Sequence, residues 1–311
     1  MNVQPADPTP PDESASLPRR DRGLSMPIRL LVLDVDGTVT NSRHEVTDAT
    51  VAAVTRVLAA GIRVMLATGR RYRDVLPIAG QLGIEEPLVT ASGALVKHPA
   101  DHATRFRAAF APGVLEGVLD MVVARGHEPV LYTDSFAEGF DFHCRSLGEM
   151  VPDETPGQGL REYLHRNRTL ARVTPDLHRM PPPGVFAGFA MGSHRDMQAL
   201  EDAIRGAWPE AVSLHTIRSP RYRDYLCEIA PAGVTKWSAV LEMARAWQIP
   251  PQAICAVGDD LNDVPMVAGA GLGIAMGNAA AEVQAVAKRI VGRHDDDGLV
   301  DVANLLLAML S

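Results

Sequence analysis

The stretch Ile28-Arg-Leu-Leu-Val-Leu-Asp-Val-Asp-Gly-Thr38 carries apolar text, broken only by Arg29, straight into two carboxylates, Asp34 and Asp36. A run without polar alternation is what a parallel strand needs when both of its faces are covered. Residues 48–61 (DATVAAVTRVLAAG) then place Val51, Val54 and Leu58 on one helical face, with Gly61 ending the helix. A second buried strand, IRVMLATG at 62–69, follows. Strand, helix and strand in that order imply a doubly wound parallel-sheet α/β core.

The pattern returns near the C-terminus, with a helix predicted at 236–247, a strand at 253–260, a short helix at 263–271, a strand at 271–276 and a helix at 279–290. Residues 25–96 and 229–311 are therefore expected to build one core domain. Between them, strand text at 128–134, 185–192, 211–217 and 223–229, with helical text at 196–208, predicts an inserted α+β domain over 97–228. The Pro-rich stretch at 180–184 reads as a stiff connection inside that insertion. Residues 1–24, rich in Pro, Asp, Ser and Arg, have too few apolar side chains to offset the entropy of ordering and read as a disordered tail.

Composition narrows the function. A chain of 311 residues with 46% hydrophobic content has room for two domains, or for one with a large insertion. Its formal charge of -8 leaves no global basic field, which argues against nucleic acid as a partner. Three separated cysteines, Cys144, Cys227 and Cys255, give neither a disulfide framework nor a Cys-x-x-Cys metal site and point to a reducing cytoplasm. No apolar segment approaches the roughly 20 residues of a membrane helix, and the N-terminus carries no signal-peptide core. The expectation is a cytoplasmic protein with no membrane partner. Nothing in the sequence gives the oligomeric state.

Ligands of such a sheet bind at the carboxyl ends of its strands. There the sequence collects Asp34 and Asp36, then Thr68-Gly69-Arg70, then Asp259-Asp260-Leu-Asn262-Asp263. Crowded carboxylates raise one another's pKa unless a cation neutralises them. Oxygen donors without His or Cys suit a hard ion, Mg²⁺ first.

These residues resemble a family. Asp34-Val-Asp-Gly-Thr38, Leu66-Ala-Thr-Gly-Arg70, Gly233-Val-Thr-Lys236 and Gly258-Asp-Asp-Leu-Asn-Asp263, in that order, are similar to the motifs of the haloacid dehalogenase (HAD) superfamily, and within it of the Cof-type (subclass IIB) hydrolases with a large α+β cap. Gly277-Asn278-Ala279 and Asp297-Gly298 accompany them more weakly. The resemblance implies that Asp34 is a nucleophile forming an aspartyl-phosphate, and that Asp36 donates a proton to the leaving oxygen and then takes one from water. Gly37 would let the chain turn sharply, and Thr38 would hold the loop. Thr68 with the Gly69 amide, Lys236 and Asn262 would contact the phosphoryl group. The metal would be held by Asp34, Asp259 and the Asp36 backbone carbonyl, with Asp263 acting through water or orienting Lys236. The same stretch also reads as a helix N-terminus capped by Asp and Asn. Asp260 stands where many relatives carry Gly or Asn and reads as surface variation, and Ser92 stands where they often have Asn. Arg70 either reaches substrate or braces the cap.

Other signals weigh less. His98 and His102 have the spacing of a helical zinc pair, but Pro99 and the missing Glu oppose it. Gly269-Ala-Gly-Leu-Gly273 fails the dinucleotide pattern at Ile274, so NAD is not expected. Asp295-Asp-Asp297 reads as a solvated turn, and Arg218, Arg221 and Arg223 as either an anion grip or a charged hairpin edge. The expected function is a Mg²⁺-dependent phosphatase of small phosphorylated metabolites, sugar phosphates or phosphorylated cofactors. The rivals are a phosphosugar mutase of the same superfamily and a non-catalytic phosphometabolite-binding protein.

Overall fold

The computed structural model describes residues 26–148, 157–219 and 221–310. The tail expected at 1–24 lies outside them. Five parallel strands form the core sheet in the order Arg289–Ile290, Leu272–Ala275, Ile254–Gly258, Leu30–Leu33, Arg63–Leu66. Alternate residues of each strand go to opposite faces, and both faces are buried. Leu31, Leu33, Leu66 and Val257 join one apolar cluster, while Leu30, Val32, Met65 and Ala256 join another. That two-sided burial is why the strand text lacks polar alternation, and each fully buried side chain of this size contributes about 1.5–3 kcal/mol.

The helix Asp48–Ala59 crosses between the first two strands, with Thr47 accepting from the Thr50 amide as its N-cap. Its buried stripe is Thr50, Ala53, Val54 and Val57. Val51 and Leu58, expected on the same face as Val54, flank it half-buried, because the helix is rotated toward Ala53 and Val57. The helix expected over 279–290 is cut short. It runs Ala281–Val286, and Arg289–Ile290 then pairs with Ile274 and Ala275 as the sheet's edge strand.

A six-stranded sheet makes the cap, in the order Val212–Arg218, Tyr225–Pro231, Val185–Gly192, Val130–Thr133, Phe142–Cys144, Ala171–Val173. The helices Val114–Ala124, Gln158–Arg166 and His194–Ala207 belong to the same stretch of chain. A three-stranded antiparallel sheet of Leu88–Thr90, Leu95–Lys97 and Thr104–Arg107 lies at the junction and touches the core through a bridge between Ala67 and Val89. The expected junctions at 97 and 228 thus fall at the end of one strand and inside another. Among the described residues no helix is long and apolar enough to cross a membrane.

Register aligns the strand ends. Leu33 pairs with both Val257 and Leu66, so Asp34, Gly258 with Asp259, and Ala67 with Thr68 emerge side by side. The first strand also marks the switch point, where chain order reverses on its two sides and α/β sheets open a crevice.

Candidate active site

Asp34 leaves the sheet 4% exposed. The helix Lys236–Ala246, started by a capping box of Thr235 and Ser238, brings Lys236 beside it. The Lys236 Nζ donates to Asp34 Oδ1 at 2.6 Å, to Asp263 Oδ1 at 2.7 Å and to Asn262 Oδ1 at 2.9 Å. Asp263 spends its other oxygen on the Asp259 and Asp260 amides, at 3.0 and 3.2 Å. Asp263 thus ties the loop at 259–260 to Lys236. Asp260 is exposed and caps the short turn by accepting from the Leu261 amide at 2.7 Å.

Asp259 is held by Thr38, whose Oγ1 donates to Oδ1 at 3.1 Å, and by Asn278, whose Nδ2 donates to Oδ2 at 3.3 Å and to the Gly37 carbonyl at 2.9 Å. A side chain at Gly37, φ +76°, would collide with the Asp259 carboxylate, so this turn admits only glycine. Thr68 is buried and accepts from the Arg70 amide at 3.1 Å. Gly69 lines the same cavity as Asp34, Lys236 and Asn262.

Asp36 faces a different way from its neighbour. Its carboxylate accepts a bidentate pair from Arg70, Nε to Oδ2 at 2.8 Å and Nη2 to Oδ1 at 2.6 Å, with His44 Nδ1 3.6 Å away. The Asp36 side chain is thus turned away from the cluster of Asp34, Asp259 and Asp263. Arg70 lines the cavity and clasps Asp36. The sequence reading missed that, although an acid two residues from a buried acid calls for a cation. It also underused Asn278, whose motif was noted without a role. Ser92, at φ +53°, sits in the left-handed region that, after Gly, Asn and Asp tolerate best, and its Oγ donates to Glu228 Oε2 of the cap at 2.9 Å.

Of the minor signals, His98 and His102 lie in the turn between Leu95–Lys97 and Thr104–Arg107, where His102 Nδ1 meets the Tyr72 hydroxyl at 2.7 Å. Asp297 is more than a solvated turn, since it accepts from the Thr47 hydroxyl at 2.6 Å. Arg218 and Arg221 line the active-site cavity, while Arg223 turns away to Gln158.

The charges of the site follow from burial and neighbours. Burial pushes the Asp34 carboxyl up, Lys236 pulls it down, and Asp263 and Asp259 push it up again, leaving it well above the usual carboxylate range. Burial and then Asp263 raise Asp259 to about 7. Burial alone would lower the Lys236 amine, but Asp263 and Asp34 outweigh it and hold the cation fully charged. Burial likewise pushes Asp36 up, yet the hydrogen bonds and charge of Arg70, helped by Arg221 and His44, bring it below its ordinary value.

Oxygens of Asp34, Asp259 and Asp263 lie within 4.8 Å of one another. Two carboxyls raised by burial and by acidic neighbours, in an all-oxygen set, fit a hard divalent cation. A linkage prediction follows. With Asp259 at about 7 in the fold against an ordinary 3.8, the folded state holds a proton that the unfolded chain has lost. Without a cation, stability falls as pH rises across that window. Mg²⁺ at about a hundred times its Kd should add about 2.7 kcal/mol, or roughly 4 °C in Tm at pH 8, and much less at pH 5, where the proton competes. Thermal melts with Mg²⁺ and with EDTA at both pH values read this; an equal gain at the two would contradict it.

The family model for haloacid dehalogenase-like hydrolases matches residues 31–302. The chain belongs to this family. Among curated relatives it is similar to HMP-PP phosphatase of Serratia proteamaculans, 28% identical over 83% of this chain and 87% of that one. It is also similar to 5-amino-6-(5-phospho-D-ribitylamino)uracil phosphatase YitU of Bacillus subtilis, 24% identical over 87% of this chain and 94% of that one. A haloacid dehalogenase-like hydrolase from Bacteroides thetaiotaomicron has the same fold, with a TM-score of 0.73 at 21% identity over 90% of this chain and 99% of that one. So does a HAD subclass IIB sugar phosphatase, with a TM-score of 0.71 at 18% identity over 90% and 99%. With its mixed cap sheet beside the parallel core, this HAD-like hydrolase shares the architecture of both structures.

Proposed function

We propose that this HAD hydrolase is a cytoplasmic phosphatase of small phosphorylated metabolites that works through an aspartyl-phosphate on Asp34. The observation that carries the reading is the convergence of Asp34, Lys236, Asp259 and Asp263 at one strand edge beneath a cap cavity. The two relatives named as phosphatases support the substrate class. Three buried free thiols, Cys144, Cys227 and Cys255, fit a reducing compartment.

In the first step an Asp34 oxygen bonds to phosphorus, the ester P–O bond breaks, and the leaving oxygen takes a proton from Asp36. In the second, water attacks phosphorus, the bond to Asp34 breaks, and Asp36 takes the proton. The clasped, ionised Asp36 is the base that the second step requires. For the first step Asp36 must carry a proton, so Arg70 has to release it as substrate enters. Lys236 holds Asp34 in place, and Thr68, the Gly69 amide and Asn262 supply donors to the phosphoryl oxygens, because phosphoryl transfer is mostly positioning and charge stabilisation. A divalent cation, Mg²⁺ first, held by Asp34, Asp259 and the Asp36 carbonyl, would neutralise the carboxylates and draw charge from the phosphoryl oxygens.

Phosphate release from a panel of phosphorylated sugars, nucleotides and cofactors tests this. Turnover of at least one ester is expected with Mg²⁺ and none after chelation. Equal turnover after exhaustive chelation would refute the metal requirement, and silence on every ester the phosphatase.

A further inference from the structure

Arg71 follows the loop of Thr68, Gly69 and Arg70 and stands at the N-cap of the helix Tyr72–Leu82, so its backbone belongs to the core. Its side chain reaches the cavity above Asp34, where the cap contributes the rings of Tyr132, Tyr163 and Phe189. Most of the guanidinium is committed there. Nε donates to Asp74 Oδ2 at 2.8 Å, and Nη2 donates to Asp74 Oδ1 at 3.1 Å and to Asn167 Oδ1 of the cap at 2.8 Å. Nη1 is buried without a hydrogen-bond partner. Asp141 Oδ2 lies 3.8 Å from it, beyond hydrogen-bond reach, and Arg73 Nε holds the Asp141 carboxylate at 3.0 and 3.2 Å. A buried charged donor with nothing to donate to is rare in a native fold, and one on an active-site cavity asks for an acceptor on the ligand.

The surroundings decide which acceptor. Arg71 and Arg73 face Asp74 and Asp141, so the local charges are matched. An anionic group docked on Nη1 would also face the Asp141 carboxylate, 3.8 Å from that nitrogen, and be repelled, whereas a neutral oxygen would not. A second donor stands close by. Asn167, which accepts from Arg71, gives its own Nδ2 to the Tyr222 hydroxyl at 2.9 Å, so Tyr222 accepts there and keeps its O–H proton for the cavity it lines. The Ser219 hydroxyl accepts from the Tyr222 amide at 3.2 Å and likewise keeps its proton. A hydroxyl or carbonyl oxygen carries two lone pairs and can accept from two such donors at once. A hydrogen bond to a charged group is worth about tenfold or more in affinity, and a site built around one penalises a ligand that lacks the oxygen.

We propose that Arg71 is a specificity-determining residue that reads the leaving group from the core side: its Nη1, together with the Tyr222 hydroxyl, donates to one neutral oxygen of that group, a hydroxyl or a carbonyl. The assignment rests on Asp34 being the phosphatase centre, and the experiment separates the two. Glucose 6-phosphate and cyclohexylmethyl phosphate share a primary ester, a charge and a six-membered ring, and only the first carries oxygens on the ring. Calorimetric titration of the Asp34→Asn chain with Mg²⁺ should find the oxygenated ester bound about tenfold more tightly or better. Adding Arg71→Met should cut that ratio by about fivefold or more, and adding Tyr222→Phe, which removes only a hydroxyl, by about threefold. Arg73→Met breaks a neighbouring tie to Asp141 without touching the cavity, so it should leave the ratio within about twofold. Equal or weaker binding of glucose 6-phosphate, a ratio that Arg71→Met leaves unchanged, or the same loss of ratio in Arg73→Met overturns the assignment. So does a loss of affinity in Arg71→Met that is equal for both esters, since Arg71 would then only fasten the cap. The expected ratios with no phosphate release by the native chain uphold Arg71 and overturn the phosphatase. A folded Asp34→Asn chain that binds neither ester overturns both.

Discussion

Asp34→Asn is expected to lower turnover by about four orders of magnitude or more while leaving the chain folded. The two halves of that expectation have separate causes. Asn fills the same space but offers a neutral amide that does not attack phosphorus, so the two-step route closes. The fold tolerates the change because Lys236 keeps Asp263 at 2.7 Å and Asn262 at 2.9 Å. One of three crowded carboxylates is also removed from a place where burial and two acid neighbours already push it toward neutrality. Melting temperature in EDTA should therefore hold or rise. Turnover within tenfold of native in a chain with native melting would show that Asp34 is not the nucleophile. Retained activity in the variant would leave the convergent carboxylates as a binding site only.

The floor of this site was legible because it is local. Buried parallel strands announce themselves by unbroken apolar text, and the residue after each strand end must stand at the crevice, so Asp34, Thr68 and Asp259 could be brought together on paper. Their register, Leu33 against Val257 and Leu66, does the same in space. What lay hidden depends on distant partners. The Arg70 clasp on Asp36 pairs residues 34 apart, and the hold of Asn278 on the Gly37 carbonyl spans 241; no periodicity reports either. Residues 287–290 read as a continuation of a helix, yet the sheet edge claims Arg289 and Ile290, a tertiary override of local propensity. In the cap, the strands Phe142–Cys144 and Ala171–Val173 are three residues each, too short to show a period. The ring-lined wall comes from Tyr132, Tyr163 and Phe189 on three separate elements, so its chemistry exists only once the cap has folded.

Lys236→Met should damage stability and turnover together, and the pH dependence of the first tells why. Lys236 is 2% exposed and bridges Asp34 and Asp263. Methionine matches its stem but leaves two buried carboxylates without their cation, and breaking such a buried pair costs about 3–5 kcal/mol. For a chain of 311 residues that is roughly 5–8 °C in Tm. The loss must depend on pH in a definite sense. Without Lys236, the second-largest influence on Asp34 and the one that lowers it is gone, so its folded pKa rises further above the unfolded value. The variant's folded state then binds protons that the unfolded chain releases, and its stability declines as pH rises from the ordinary carboxylate range upward. The deficit against native should be greatest at pH 8 and shrink toward pH 5 in EDTA melts. A second substitution, Asp34→Asn on Lys236→Met, removes the uncompensated charge and should restore a large part of the lost stability, a coupling that independent sites would not show. Turnover returns in neither chain, since the single variant lacks the cation that holds the nucleophile and faces the phosphoryl charge, and the double variant lacks the nucleophile as well. A deficit constant from pH 5 to 8, or a double variant no more stable than the single, would mean that Lys236 serves the fold through packing and not through its charge.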